Sequence, residues 1–136
     1  MPYIHVSVSG KSDPALSAKI AQMITDLTSV HLQKDPTVTA VAITFVGHEH
    51  WYIGGKSLAD LNTSSFWLDI KVTQGTNTKM QIAAYLEVVF GEMRALLSSV
   101  HEDSYILVHE VSATSWGFAG KTQEYRFIAG RLMPAA

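Results

Sequence analysis

Tyr3-Ile4-His5-Val6-Ser7-Val8 and Trp67-Leu68-Asp69-Ile70-Lys71-Val72 decide the architecture, because they are one pattern written twice, 64 residues apart. In each, aliphatic residues alternate with polar or aromatic ones, which is the two-residue period of a strand with two different faces. Outward from the first copy, Gly10 to Asp13 make a turn. Asp13 followed by Pro14 reads as a helix start, since proline loses nothing at the first helical position. Leu16, Ile20, Met23, Ile24, Leu27 and Val30 then fall on one helical face. Lys34-Asp35-Pro36 breaks the helix, and the β-branched run Thr39 to Val46 predicts a second strand.

The second copy repeats this order. Gly75 matches Gly10 at an offset of 65, and Ile82, Leu86, Val89, Phe90, Met93 and Leu96 match the first helical face at 66. Tyr105 to Val111 matches the second strand at 65. His50-Trp51-Tyr52-Ile53-Gly54-Gly55 matches Ser115-Trp116-Gly117-Phe118-Ala119-Gly120, each an aromatic and apolar stretch ending in residues that permit a tight hairpin. Strand, helix, strand implies a parallel crossover in each unit. The expected fold is therefore α+β: a two-layer sandwich of tandem β-α-β repeats, with a four-stranded mixed sheet and two helices on one face. It forms a single domain over residues 1–136, with units 2–63 and 64–120 and a C-terminal arm, 121–136, as a further strand or an extension onto a neighbour. Tyr3, Trp67 and Tyr105 fall on the sheet face away from the helices, so that face needs covering by further copies of the chain.

The bulk numbers narrow the function. Apolar residues make up 47% of the 136 residues and charged residues 16%, which favours a folded core over disorder. The net charge is -2 with no basic run, so neither nucleic acid nor a membrane surface is an expected partner. With no cysteine, thiolate chemistry and disulfides are excluded. No secretory leader or membrane span is visible, and a cytoplasmic location is the expectation.

Met1-Pro2 opening a strand, then Gly10, the helix, the second strand and the His50 to Gly55 segment, resembles the tautomerase superfamily of the 4-oxalocrotonate tautomerase type. The likeness is to its double-length members, which fuse two β-α-β units and assemble as trimers, and it covers residues 2–120. The resemblance implies a proline-based tautomerase that needs neither cofactor nor metal. Pro2, exposed as a free secondary amine by loss of Met1, would act as general base and acid in keto–enol isomerisation of a small 2-hydroxy-diene or enol carboxylic acid. Only a terminal proline supplies a secondary amine, and burial or nearby positive charge brings such an amine toward neutrality. If Met1 is retained, the amine becomes an amide and the mechanism is lost. Phe66 stands where the second unit would carry its proline, so one active proline is expected per chain.

The family's arginine after the first turn glycine is Lys11 here, and its arginine early in the second strand is Ala40. Thr73, Thr76 and Asn77 stand near the arginine pair of related dehalogenases and decarboxylases, and Phe118 stands near their water-activating carboxylate. Lysine holds a carboxylate as a point charge, without arginine's bidentate fork, so a less charged substrate is implied. The candidate substrate contacts are Lys11, His50, Trp51, Lys71, Trp116 and Arg126, with Trp51 as the apolar wall and Arg126 as a replacement anchor. Each has a plainer reading: a turn lysine, loop polarity around His48-Glu49-His50, hairpin packing, or an Asp69–Lys71 ion pair at a subunit contact. Rival functions are a hydratase, dehalogenase or decarboxylase of the same superfamily, and an inactive ligand-binding or structural oligomer.

Overall fold

The computed structural model describes residues 2–132. Met1 and residues 133–136 of the expected arm lie outside that range. Strand β1 (Tyr3–Ser9) leads through a turn into helix α1 (Pro14–Leu32) and strand β2 (Ala40–Val46). A hairpin of β3 (Tyr52–Ile53) and β4 (Lys56–Ser57) and a single turn, α2 (Leu58–Leu61), complete this half. The second half repeats the order with β5 (Phe66–Thr73), α3 (Lys79–Leu96), β6 (Tyr105–Val111), a hairpin of β7 (Gly117–Phe118) and β8 (Lys121–Thr122), and α4 (Gln123–Leu132).

Local chemistry sets these boundaries. The Asp13 carboxylate accepts from the N–H groups of Ala15 and Leu16, capping α1 at its N-terminus, and Gln33 ends the helix in the left-handed region. Thr78 and Gln81 form a reciprocal capping box on α3. Gly117 lies so close to the Lys121 backbone carbonyl that a Cβ would collide with it, so this hairpin requires glycine.

The main sheet has the order β2-β1-β5-β6. β1 pairs parallel with β2, β5 pairs parallel with β6, and β1 meets β5 antiparallel, with Tyr3 opposite Lys71 and Val8 opposite Phe66. Ile4, Val6, Leu68 and Ile70 face the helices and are fully buried against Ile20, Ile24, Val89 and Met93. At roughly 1.5–3 kcal/mol per buried aliphatic side chain, this single layer between sheet and helices is the main source of stability. The fold matches the expected four-stranded mixed sheet with two helices on one face.

Two expectations change. Val30 is 69% exposed, and the α1 stripe ends instead on Thr28 and Leu32, which follow Ile20 and Ile24 at four-residue steps. Thr28 is buried because its hydroxyl meets the Tyr85 hydroxyl at 2.9 Å between the two helices. The segment after Gly120 opens with the short strand β8, one of the two forms expected for it, and then forms a helix that was not expected, so the repeat continues past Gly120.

On the uncovered sheet face, Asp69 accepts from Trp67 Nε1 at 3.0 Å and pairs with Lys71, while His5 Nδ1 stands 3.9 Å away. Burial alone would raise the Asp69 carboxyl, but Lys71, Trp67 and His5 together hold it below the ordinary carboxylate range. Tyr3, Trp67, Tyr105 and Leu107 remain exposed on this face.

Candidate active site

Antiparallel pairing of β1 with β5 sets the geometry of any site. Each end of the sheet is built from the start of one unit and the finish of the other. At one end lie Pro2, the finish of β5 and the β7–β8 hairpin with α4; at the other lie Lys11, the start of β5 and the β3–β4 hairpin. The seven residues of β1 separate these ends by more than about 20 Å.

Pro2 is buried, and its carbonyl accepts from the Ala40 N–H at 3.3 Å. Continuation of the β1–β5 register sets it across from Val72. Next to Val72, a cavity of about 520 Å³ opens between the β5–α3 turn and α4, lined by Thr73, Thr76, Gln123, Glu124, Arg126 and Phe127 among others. Arg126 is held by the Gln123 Oε1, to which Nη1 donates at 3.0 Å, and by the Phe118 ring, 4.4 Å below the guanidinium. Gln123 is buried, and its Nε2 has no hydrogen-bond partner among the described residues. The Lys34 Nζ donates to Thr76 Oγ1 at 2.8 Å from the loop after α1. Burial pushes the Lys34 ammonium below its ordinary value, so its charge is poorly solvated and suited to an anionic partner. Two cations and an amide donor thus gather at the sheet end that carries Pro2.

The other candidates divide between the ends. Trp116 is half-buried at the Pro2 end, where its carbonyl accepts from the Gln123 N–H at 3.0 Å. Lys71 is at the same end but points to the uncovered face, tied to Asp69. Lys11 is exposed at the far end. His50 is exposed in a one-turn 3-10 helix beside Glu49, and Trp51 lines a cleft there with Trp67 and Tyr105. Within one chain, therefore, Lys11, His50 and Trp51 do not meet Pro2. Lys34 and Gln123 escaped the sequence reading as site residues, and Thr76 entered it only by its place near the arginine pair of related enzymes. The signal for Gln123 was the offset of 65 carried from Leu58, across the end of the recognised repeat.

A family model described as tautomerase enzyme matches residues 2–61. No curated protein matches the chain. Among solved structures, native fused 4-OT superposes with a TM-score of 0.78 at 19% identity, covering 90% of this chain and 96% of that one. The Q0 fused 4-OT wild-type symmetric trimer gives 0.79 at 12% identity, covering 91% and 98%. A macrophage migration inhibitory factor-like protein from Entamoeba histolytica gives 0.73 at 17% identity, covering 89% and 97%. Residues 2–61 thus match the tautomerase family model, and about nine-tenths of the chain carries the fold of fused 4-OT.

Proposed function

We propose that the chain is a proline-based tautomerase, acting without a cofactor on a small enol or 2-hydroxy-diene carboxylic acid. The observation that carries this reading is the concentration of cationic and donor groups, Lys34, Arg126 and Gln123, at the sheet end where Pro2 opens the central strand. After removal of Met1, burial and the two cations favour the neutral Pro2 amine, the form able to take a proton. Arg126 and Lys34 hold the substrate carboxylate. The Pro2 nitrogen takes the proton from the enol oxygen, electron density moves through the conjugated system, and the same proton is returned to carbon. The keto acid leaves with its atoms unchanged in number. Trp116 closes the apolar side from within the chain. Lys11, His50 and Trp51 serve this chemistry only across a subunit boundary, and a homotrimer is the assembly favoured by the likeness to fused 4-OT trimers.

The test is ketonisation of a small enol-pyruvate by the wild type and by Pro2→Ala, after mass spectrometry has established loss of Met1. The variant is expected to lose about 100-fold or more, the usual contribution of a positioned general base. Equal rates would overturn the reading. Glu124 in the same cavity favours one second reading, the addition of water to an unsaturated acid. A product heavier than substrate by one water would identify it.

A further inference from the structure

The far end of the sheet carries a second cavity of about 520 Å³, between the first hairpin's helical turn and the end of α3. It is the internal-repeat counterpart of the cavity at the Pro2 end of the sheet. Leu58 and Ala59 line it where Gln123 and Glu124 line the other, each at an offset of 65. His48 stands where the other has Ala113, at the same offset. The walls have thus lost a buried amide and a carboxylate and gained an imidazole. Among the described residues, none that lines this second cavity carries a fixed charge.

The imidazole has an unmet need. Its Nε2 is buried and has no hydrogen-bond partner among the described residues. The ring lies against Gly10, whose φ of 121° holds a backbone that favours glycine, and a Cβ at Gly10 would stand 3.8 Å from Nε2. A buried polar atom without a partner requires an explanation, and a ligand in an adjoining cavity is one. Ser98 and Ser99 also line the cavity, and Leu16 and Leu96 supply apolar surface.

We propose that this cavity is a second, non-catalytic binding site for an uncharged molecule that carries hydroxyl groups on an apolar body. A ligand hydroxyl satisfies His48 Nε2 in either tautomer, as donor or acceptor. The leucines take the apolar body, and the absence of charge in the walls selects against acids. Phe66, internal to the chain, stands where the other end has Pro2, so no amine is available there for catalysis.

The experiment is titration of the full chain with catechol, followed at the His48 ring nitrogens by long-range 1H–15N NMR, with benzoate as the charged comparison. The expected result is a saturable shift with catechol, at least tenfold weaker binding of benzoate, and unchanged catechol binding in Pro2→Ala. His48→Phe and Ser98→Phe, at two lining positions, are each expected to raise the catechol Kd at least tenfold. Absence of a saturable shift would mean that solvent alone satisfies the imidazole, and would overturn the proposal. So would benzoate binding as tightly as catechol, or unaltered catechol binding in both variants.

Discussion

The role proposed for Arg126 rests on its neighbours. Stacked over Phe118 and bonded to Gln123, it loses little side-chain freedom on taking a carboxylate, and a guanidinium offers two parallel donors where Lys34 offers a point charge. Arg126→Ala is therefore expected to raise KM about tenfold or more while kcat falls less, as steady-state kinetics with an enol-pyruvate would read; a hydrogen bond to a charged group is worth about 1.5–3 kcal/mol. Arg126 was legible in the sequence as a possible anchor because arginines are few and it stands outside the recognised repeat. Lys34 and Gln123 were not legible. Lys34 read only as part of a helix-breaking run, and its significance comes from Thr76, 42 residues away in the chain. The far-end placement of Lys11, His50 and Trp51 was hidden for a related reason: a repeat shows that two units are alike, but not that they run antiparallel.

Helices α1 and α3 depend on one polar contact in an otherwise apolar layer, the Thr28–Tyr85 hydroxyl pair. Burial pushes the Tyr85 phenol up to about 12, partly offset by Thr28. The unfolded chain titrates its tyrosines near 10, so it loses this proton first as pH rises. The folded state is accordingly destabilised between about pH 10 and 12, by at most roughly 3 kcal/mol. Tyr85→Phe should remove that part of the base-induced loss while costing about 1 kcal/mol near neutral pH, where it leaves the Thr28 hydroxyl without its partner. Urea melts at neutral and alkaline pH would show both; an unchanged alkaline slope in Tyr85→Phe would contradict the account. The strands were legible because alternation survives a single-sequence reading. Helix α4 was not, because its counterpart α2 is a four-residue turn, whereas α4 runs ten residues with Phe127 and Ile128 exposed.

The whole molecule presents one sheet face to its helices and leaves the other uncovered, with Tyr105 57% exposed and Leu107 beside it. Around this apolar edge the centre is polar: Asp69, Lys71, His5 and Trp67 satisfy one another. Such a face suits association with copies that meet it by apolar edges while the central charges stay paired within each chain. Light scattering is expected to give the mass of three chains, and Tyr105→Glu to shift it toward one chain without loss of secondary structure. A trimer that withstands Tyr105→Glu would place the interface elsewhere. Assembly also bears on the site, since only a neighbouring copy can bring Lys11 or Trp51 to Pro2.

These scales meet at the Pro2 nitrogen. The most direct test compares ketonisation by the chain with a free Pro2 amine and by the same chain carrying one further residue, retained before Pro2, that converts the amine into an amide. Side chains, cavity and sheet are left as they are. The account predicts a fall of about 100-fold or more with fold and assembly intact. Equal rates in the two forms would contradict it, because an amide nitrogen cannot carry the proton.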